Sequence, residues 1–65
     1  MRIDRAKFAA ELARNYMTQK QLAEKSGVSR ATVNYIKSGK SCSDSVGFKI
    51  AKALGVDVKE ILEED

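Results

Sequence analysis

Histidine and proline are absent from this 65-residue sequence, and cysteine occurs once, at Cys42. Without histidine the commonest general base and metal ligand is missing. Cys42 has no histidine partner for nucleophilic chemistry and no second thiol for a zinc site. Catalysis, a resident metal and a cofactor are therefore not expected. A lone thiol cannot close an internal disulfide, which fits a reducing cytoplasm and leaves thiol sensing as its one special role. Long apolar runs are also lacking, so no segment is expected to span a membrane. The stretch Met1 to Ala13 is broken by charges at Arg2, Asp4, Arg5, Lys7 and Glu11, so no signal peptide is expected. With 43% hydrophobic residues and no proline the chain is too apolar for a disordered tail. No repeat or low-complexity linker divides it, and a single domain over residues 1–65 follows. At this length only about 60% of the unfolded surface can be buried, so a partner subunit is a natural source of added stability.

What the sequence does contain is a pair of short capped helices joined by a glycine turn. Thr18 is an N-cap, Gln21 three places on completes a capping box, and Met17 with Leu22 forms a hydrophobic staple. Ser29 repeats the pattern, with Val28 and Val33 as the staple pair, although Thr32 stands where a glutamate or glutamine would close the box. Gly27 lies between the helices, where a sharp turn needs a residue that tolerates positive φ, and Gly39 ends the second helix in the same way. Ala23 is small, as two helices crossing so closely require. With Leu22, Val28, Val33 and Ile36 it makes the inner face. Val33 and Ile36 point inward, which turns Ala31, Asn34, Tyr35 and Ser38 outward and leaves Arg30 and Thr32 on the flanks. This unit, residues 18–39, reads as a helix-turn-helix with a polar, basic outer face.

Outside it, Asp4 caps a first helix running to about Asn15, with Phe8 and Leu12 on one face and Asn15 suited to a left-handed C-terminal position. After a loop at Lys40 to Ser43, Ser43 or Asp44 caps a fourth helix whose inner face is Val46, Ile50 and Leu54 with Ala51, ended by Gly55. Val56 and Ile61 then staple a fifth helix, for which Asp57 and Glu60 supply a capping box and Val58, Ile61 and Leu62 an apolar side. The fold class expected is a compact all-α bundle of five helices.

Charge is distributed unevenly. Between Arg14 and Lys52 there are eight basic residues against two acidic, and between Asp57 and Asp65 five acidic against one basic. Such a field draws the middle of the domain toward phosphates and turns the C-terminus away from them.

The segments TQKQLAEKSGVSRATVNYIKSGK and KIAKALGVDVKEIL closely resemble the lambda-repressor-like (Cro/repressor, XRE-type) family of DNA-binding domains over residues 18–62. The resemblance implies operator binding in the major groove of double-stranded DNA, usually by a dimer. It places Gln19 against phosphate and the neighbouring base, and Arg30, Ala31, Thr32, Asn34 and Tyr35 in the base-reading region. By chemistry Arg30 suits a guanine edge and Asn34 an adenine, while Ala31 and the Thr32 methyl suit a thymine methyl. Arg30 is equally suited to a phosphate, and Tyr35 either enters the groove or lies along its own helix with its hydroxyl in water. Thr18, Lys20, Ser29, Lys37, Ser38, Lys40 and Ser41 are expected on the DNA backbone, positioning the protein without reading sequence.

Phe48 falls away from the inner stripe of its helix. It either packs under the N-terminal arm near Ile3 or joins the fifth helix in an exposed apolar patch, and such patches mark partner surfaces. A homodimer through Phe48, Val56, Val58 and Leu62 is the expectation that follows. The function expected is a cytoplasmic transcriptional regulator, a repressor rather than an activator, bound to a palindromic operator. The rival from another class is a protein-interaction module, such as the antitoxin of a toxin-antitoxin pair, docking a partner through the acidic C-terminal face. Acidic residues on the outer face of the 29–38 helix would favour that rival, and there are none.

Overall fold

The computed structural model describes residues 1–64, and Asp65, counted above in the acidic tail, lies outside the described residues. The chain forms four α-helices, α1 (Arg5–Arg14), α2 (Gln19–Ser26), α3 (Arg30–Lys37) and α4 (Asp44–Leu54), followed by a 3₁₀ turn at Val58–Glu60. Each helix begins at a side-chain cap. Asp4 Oδ1 accepts from the Lys7 amide at 2.9 Å. The Thr18–Gln21 box is complete, the Gln21 amide donating to Thr18 Oγ1 at 3.1 Å and the Thr18 amide to Gln21 Oε1 at 2.9 Å. Ser29 Oγ accepts from the Thr32 amide at 3.2 Å and donates to Thr32 Oγ1 at 2.9 Å, so a hydroxyl pair stands in for the reciprocal bond. Ser43, rather than Asp44, caps α4 through the Val46 amide. These caps satisfy amides that a helix start leaves without partners, typically at about 1 kcal/mol each.

The chain takes a left-handed backbone at Tyr16, Gly27, Gly39 and Gly55, and two of these turns flank α2. Gly27 sits at φ 75° between α2 and α3, as expected. The turn after α1 differs from expectation, for Asn15 keeps φ −91° and Tyr16 takes the left-handed conformation at φ 52°. The reason is the Asn15 side chain, whose Nδ2 donates to the Glu11 carbonyl at 2.7 Å and reaches the Leu54 carbonyl at 3.4 Å. With Asn15 held in the last turn, the reversal falls one residue later. Amides of Tyr16 and Met17 then close back on Ala13 and Leu12 in a C-capping motif.

The fifth helix is not formed. The Asp57–Glu60 capping box is present, with the Asp57 amide donating to Glu60 Oε2 at 3.1 Å, but helical geometry stops after one 3₁₀ turn. The N-terminal arm is the cause. The Asp4 amide donates to the Ile61 carbonyl at 2.9 Å, the Glu63 amide donates to the Arg2 carbonyl at 3.0 Å, and Ile3 and Leu62 form an antiparallel bridge. Carbonyl and amide groups that a helix would use internally are committed to that bridge, and Ile3 and Ile61 go into the core together.

α2 lies between α3 and α4 and packs against both, while α1 packs against α3. The anticipated inner residues Leu22, Ala23, Val28, Val33, Ile36, Ile50, Ala51 and Leu54 are all buried, with Phe8 and Ala53 beside them. Val46 is only half-buried, and the buried Gly47 takes the more central place on α4. Removing the side chain at a position such as Leu22 or Ile36 would cost about 2–5 kcal/mol, a large fraction of the stability of so small a domain. Phe48 does not pack under the arm. It is 57% exposed on the outer side of α4.

Candidate nucleic-acid interface

The candidate surface is assembled by two short helices whose crossing is fixed by the buried Leu22, Ala23, Val33 and Ile36. Because α2 and α3 are held there, Gln19 at the first position of α2 comes alongside α3. Together with Arg30, Ala31 and Asn34 it lines one shallow open groove. Arg30, Ala31 and Asn34 are exposed and Gln19 is half-buried. Among the described residues Arg30, Lys20 and Lys37 enter no salt bridge, and the Asn34 side chain makes no hydrogen bond. The groove thus presents an amide, a guanidinium, a methyl and a second amide, with no carboxylate in its lining. That set can donate to and accept from base edges.

The other predicted base readers are placed differently. Thr32 is half-buried and outside the groove lining, and its hydroxyl accepts from Ser29 Oγ, an engagement that does not involve the methyl offered to thymine. Tyr35 is 52% exposed and outside the groove, with Lys40 Nζ over its ring. Of the predicted backbone contacts, Thr18, Lys20, Ser29, Lys37, Ser38, Lys40 and Ser41 are all exposed. Thr18 and Ser29 spend their hydroxyls on caps, and the Ser38 hydroxyl donates to the Asn34 carbonyl at 3.0 Å. The Thr18 amide is also spent, on Gln21 Oε1, and the Ser38, Gly39 and Lys40 amides close back on carbonyls of α3.

The basic field is also redistributed. Arg14 is paired with Glu11, its Nε donating to Oε1 at 2.9 Å, and this hydrogen bond and charge raise the Arg14 pKa above its ordinary value. Lys25, Lys49 and Lys52 line a separate hollow formed by the end of α2 and by α4. Lys20, Arg30, Lys37 and Lys40 remain for the α2–α3 face. One cation that sequence reasoning missed is brought to the same end of the molecule, Arg5 of α1, whose side chain lies against Gly39. No local signal marks it, since the approach depends on how α1 packs on α3.

The predicted dimer residues do not form one exposed strip. Phe48 is exposed, whereas Val56 and Val58 are half-buried and packed against the core and Leu62 is engaged in the bridge to Ile3. Cys42 is half-buried in the loop before α4, and burial pushes its thiol pKa up, away from the reactive thiolate. Among the described residues no helix is long and apolar enough to cross a membrane.

Comparison with known proteins agrees with this geometry. The helix-turn-helix family profile matches residues 9–61. An uncharacterised HTH-type transcriptional regulator of Methanocaldococcus jannaschii is 48% identical over 46 residues, covering 69% of this chain and 70% of the relative. No solved structure matches the chain. A match over residues 9–61 takes in all of α2, α3 and α4 and most of α1, and the chain belongs to the helix-turn-helix family of the lambda-repressor-like, XRE type.

Proposed function

We propose that the chain is a sequence-specific DNA-binding transcriptional regulator that lays α3 in the major groove and represses by occupying its operator. The observation that carries this reading is the shared groove of Gln19, Arg30, Ala31 and Asn34, in which two helices offer base-reading groups with no side-chain partner among the described residues. Lys20, Lys37, Lys40, Ser38 and Ser41 flank it and hold the phosphates. Membership of the helix-turn-helix family and a relative named as an HTH-type transcriptional regulator support the same reading. The working unit is a homodimer on an inverted repeat, with half-sites about one helical turn apart. Its interface uses Phe48, a residue 57% exposed, together with the exposed edges of the half-buried Val56, Val58 and Leu62. The cytoplasm is the compartment in which it acts. An antitoxin-like docking role is less well supported, because the outer face of α3 carries no acid and two cations, Arg30 and Lys37.

Selection from a randomised duplex pool, followed by binding across a salt series, tests the proposal. Enrichment of a palindromic site, with affinity falling steeply as salt rises, is the expected result. Enrichment of nothing, with binding only in the millimolar range, would sink it.

A further inference from the structure

Arg5 begins α1, far in sequence from the helix-turn-helix, yet its side chain crosses to the C-terminal end of α3. A methyl group built on Gly39 would stand 3.1 Å from Arg5 Cδ and 3.6 Å from both Cγ and Nε. The methylene stem of Arg5 therefore lies on the bare Cα of Gly39, and the guanidinium continues beyond it. Gly39 serves this contact as well as the turn, where it adopts φ 88°. Arg5, Ala6, Ser38 and Gly39 line an open groove together with Asp4 and Glu63. Asp4 is occupied in capping α1 at the Lys7 amide, and among the described residues Arg5 forms no salt bridge with Asp4, Glu63 or any other acid.

We propose that Arg5 is a phosphate-binding residue of the DNA interface, preorganised by Gly39 at the end of the recognition helix. This inference rests on the DNA-binding reading above. Three features carry it. The cation is exposed and has no acidic partner among the described residues, it adjoins the Ser38 to Ser41 stretch assigned to the backbone, and its stem is already packed. A guanidinium presents a planar fork that matches two phosphate oxygens, and a stem held in place loses less freedom on binding. Arg5 thus extends the row of Lys37, Ser38, Lys40 and Ser41 by one phosphate, from a helix that contributes nothing to base reading.

A purely structural role has a distinct signature, because an arginine near a helix C-terminus also favours the helix dipole. The experiment uses Arg5→Gln, which keeps the stem on Gly39 and removes the charge, together with Arg5→Lys and the unmodified chain. Binding to the selected operator and to a random duplex is measured over a salt series, and the thermal midpoint is recorded. The expected result for Arg5→Gln is weaker binding to both duplexes by the same factor, on the order of 5- to 10-fold at 0.1 M salt. The slope of log K against log salt becomes shallower by about 0.9, as loss of one phosphate contact requires. Arg5→Lys restores the slope and only part of the affinity. An unchanged slope and affinity in Arg5→Gln, with or without a lower thermal midpoint, overturns the assignment and leaves the DNA-binding reading standing. An unmodified chain that binds neither duplex overturns both.

Discussion

The Lys40 ammonium lies 4.7 Å from the centroid of the Tyr35 ring, and the Lys40 amide donates to the Tyr35 carbonyl at 3.1 Å. The cation in the turn after α3 is thereby held against the aromatic on the helix's outward side. A contact of this kind is worth about 0.5–1 kcal/mol at an exposed site. If its use is to fix Lys40 over a phosphate, the two side chains act as a unit in binding. Tyr35→Ala and Lys40→Ala are then expected to be non-additive in operator affinity, coupled by about 0.5 kcal/mol, while Tyr35→Phe keeps the coupling. Strict additivity in the double-mutant cycle would mean that the ring does not position the lysine.

Arg30 and Lys37 stand at opposite ends of α3, both exposed and both without an acidic partner among the described residues. Their places predict opposite behaviours. Arg30 shares the groove with Gln19 and Asn34, so Arg30→Ala should cost about 1–3 kcal/mol against the preferred base at one position of each half-site and relax selection there. Lys37→Ala should weaken all duplexes alike and lower the salt slope by about one contact. Selection profiles of the two variants check this. A uniform loss for Arg30→Ala would reassign that arginine to the backbone.

Features governed by contacts within three or four residues were legible in the sequence. Thr18 with Gln21, Ser29 with Thr32 and Ser43 with Val46 are caps whose donors and acceptors are fixed by the first helical turn, and all three are present. The inner face of α2 and α3 followed from helical spacing for the same reason. The failures are non-local. Asp57 and Glu60 make their box, but the bridge of Ile3 with Leu62 redirects the backbone before a helix can grow. Asn15 has the propensity for the left-handed position, but as the C-cap of α1 it keeps a negative φ while its side chain bonds to the Glu11 and Leu54 carbonyls. At the candidate site, helical spacing turned Ala31 and Asn34 outward with Arg30 on the flank, whereas Gln19, which lines the same groove, was marked only by the family resemblance. Arg5 was hidden because only tertiary packing brings it to Gly39.

Tyr16 at φ 52° occupies a conformation that costs a residue with a Cβ roughly 1–2 kcal/mol, and the residue is 94% exposed, so its side chain returns little burial energy. Tyr16→Gly should remove the steric cost while adding back about 0.5–1 kcal/mol of unfolded-chain entropy. The net expectation is a gain of about 0.5–1 kcal/mol, seen as a thermal midpoint raised by roughly 2–8 °C in a domain of this size. Tyr16→Val should move the other way, since a β-branched side chain fits the left-handed region worse than tyrosine does. The turn matters beyond stability because it delivers the chain to the Thr18 cap, and that cap fixes where Gln19 stands beside Arg30. Relief of strain without displacement of the cap should therefore leave operator affinity unchanged. Urea and thermal melts of the two variants decide the first point, and a Tyr16→Gly chain no more stable than the original would show that the turn is not strained. Loss of operator affinity in a stabilised Tyr16→Gly chain would instead give the exposed ring a contact of its own at the start of α2.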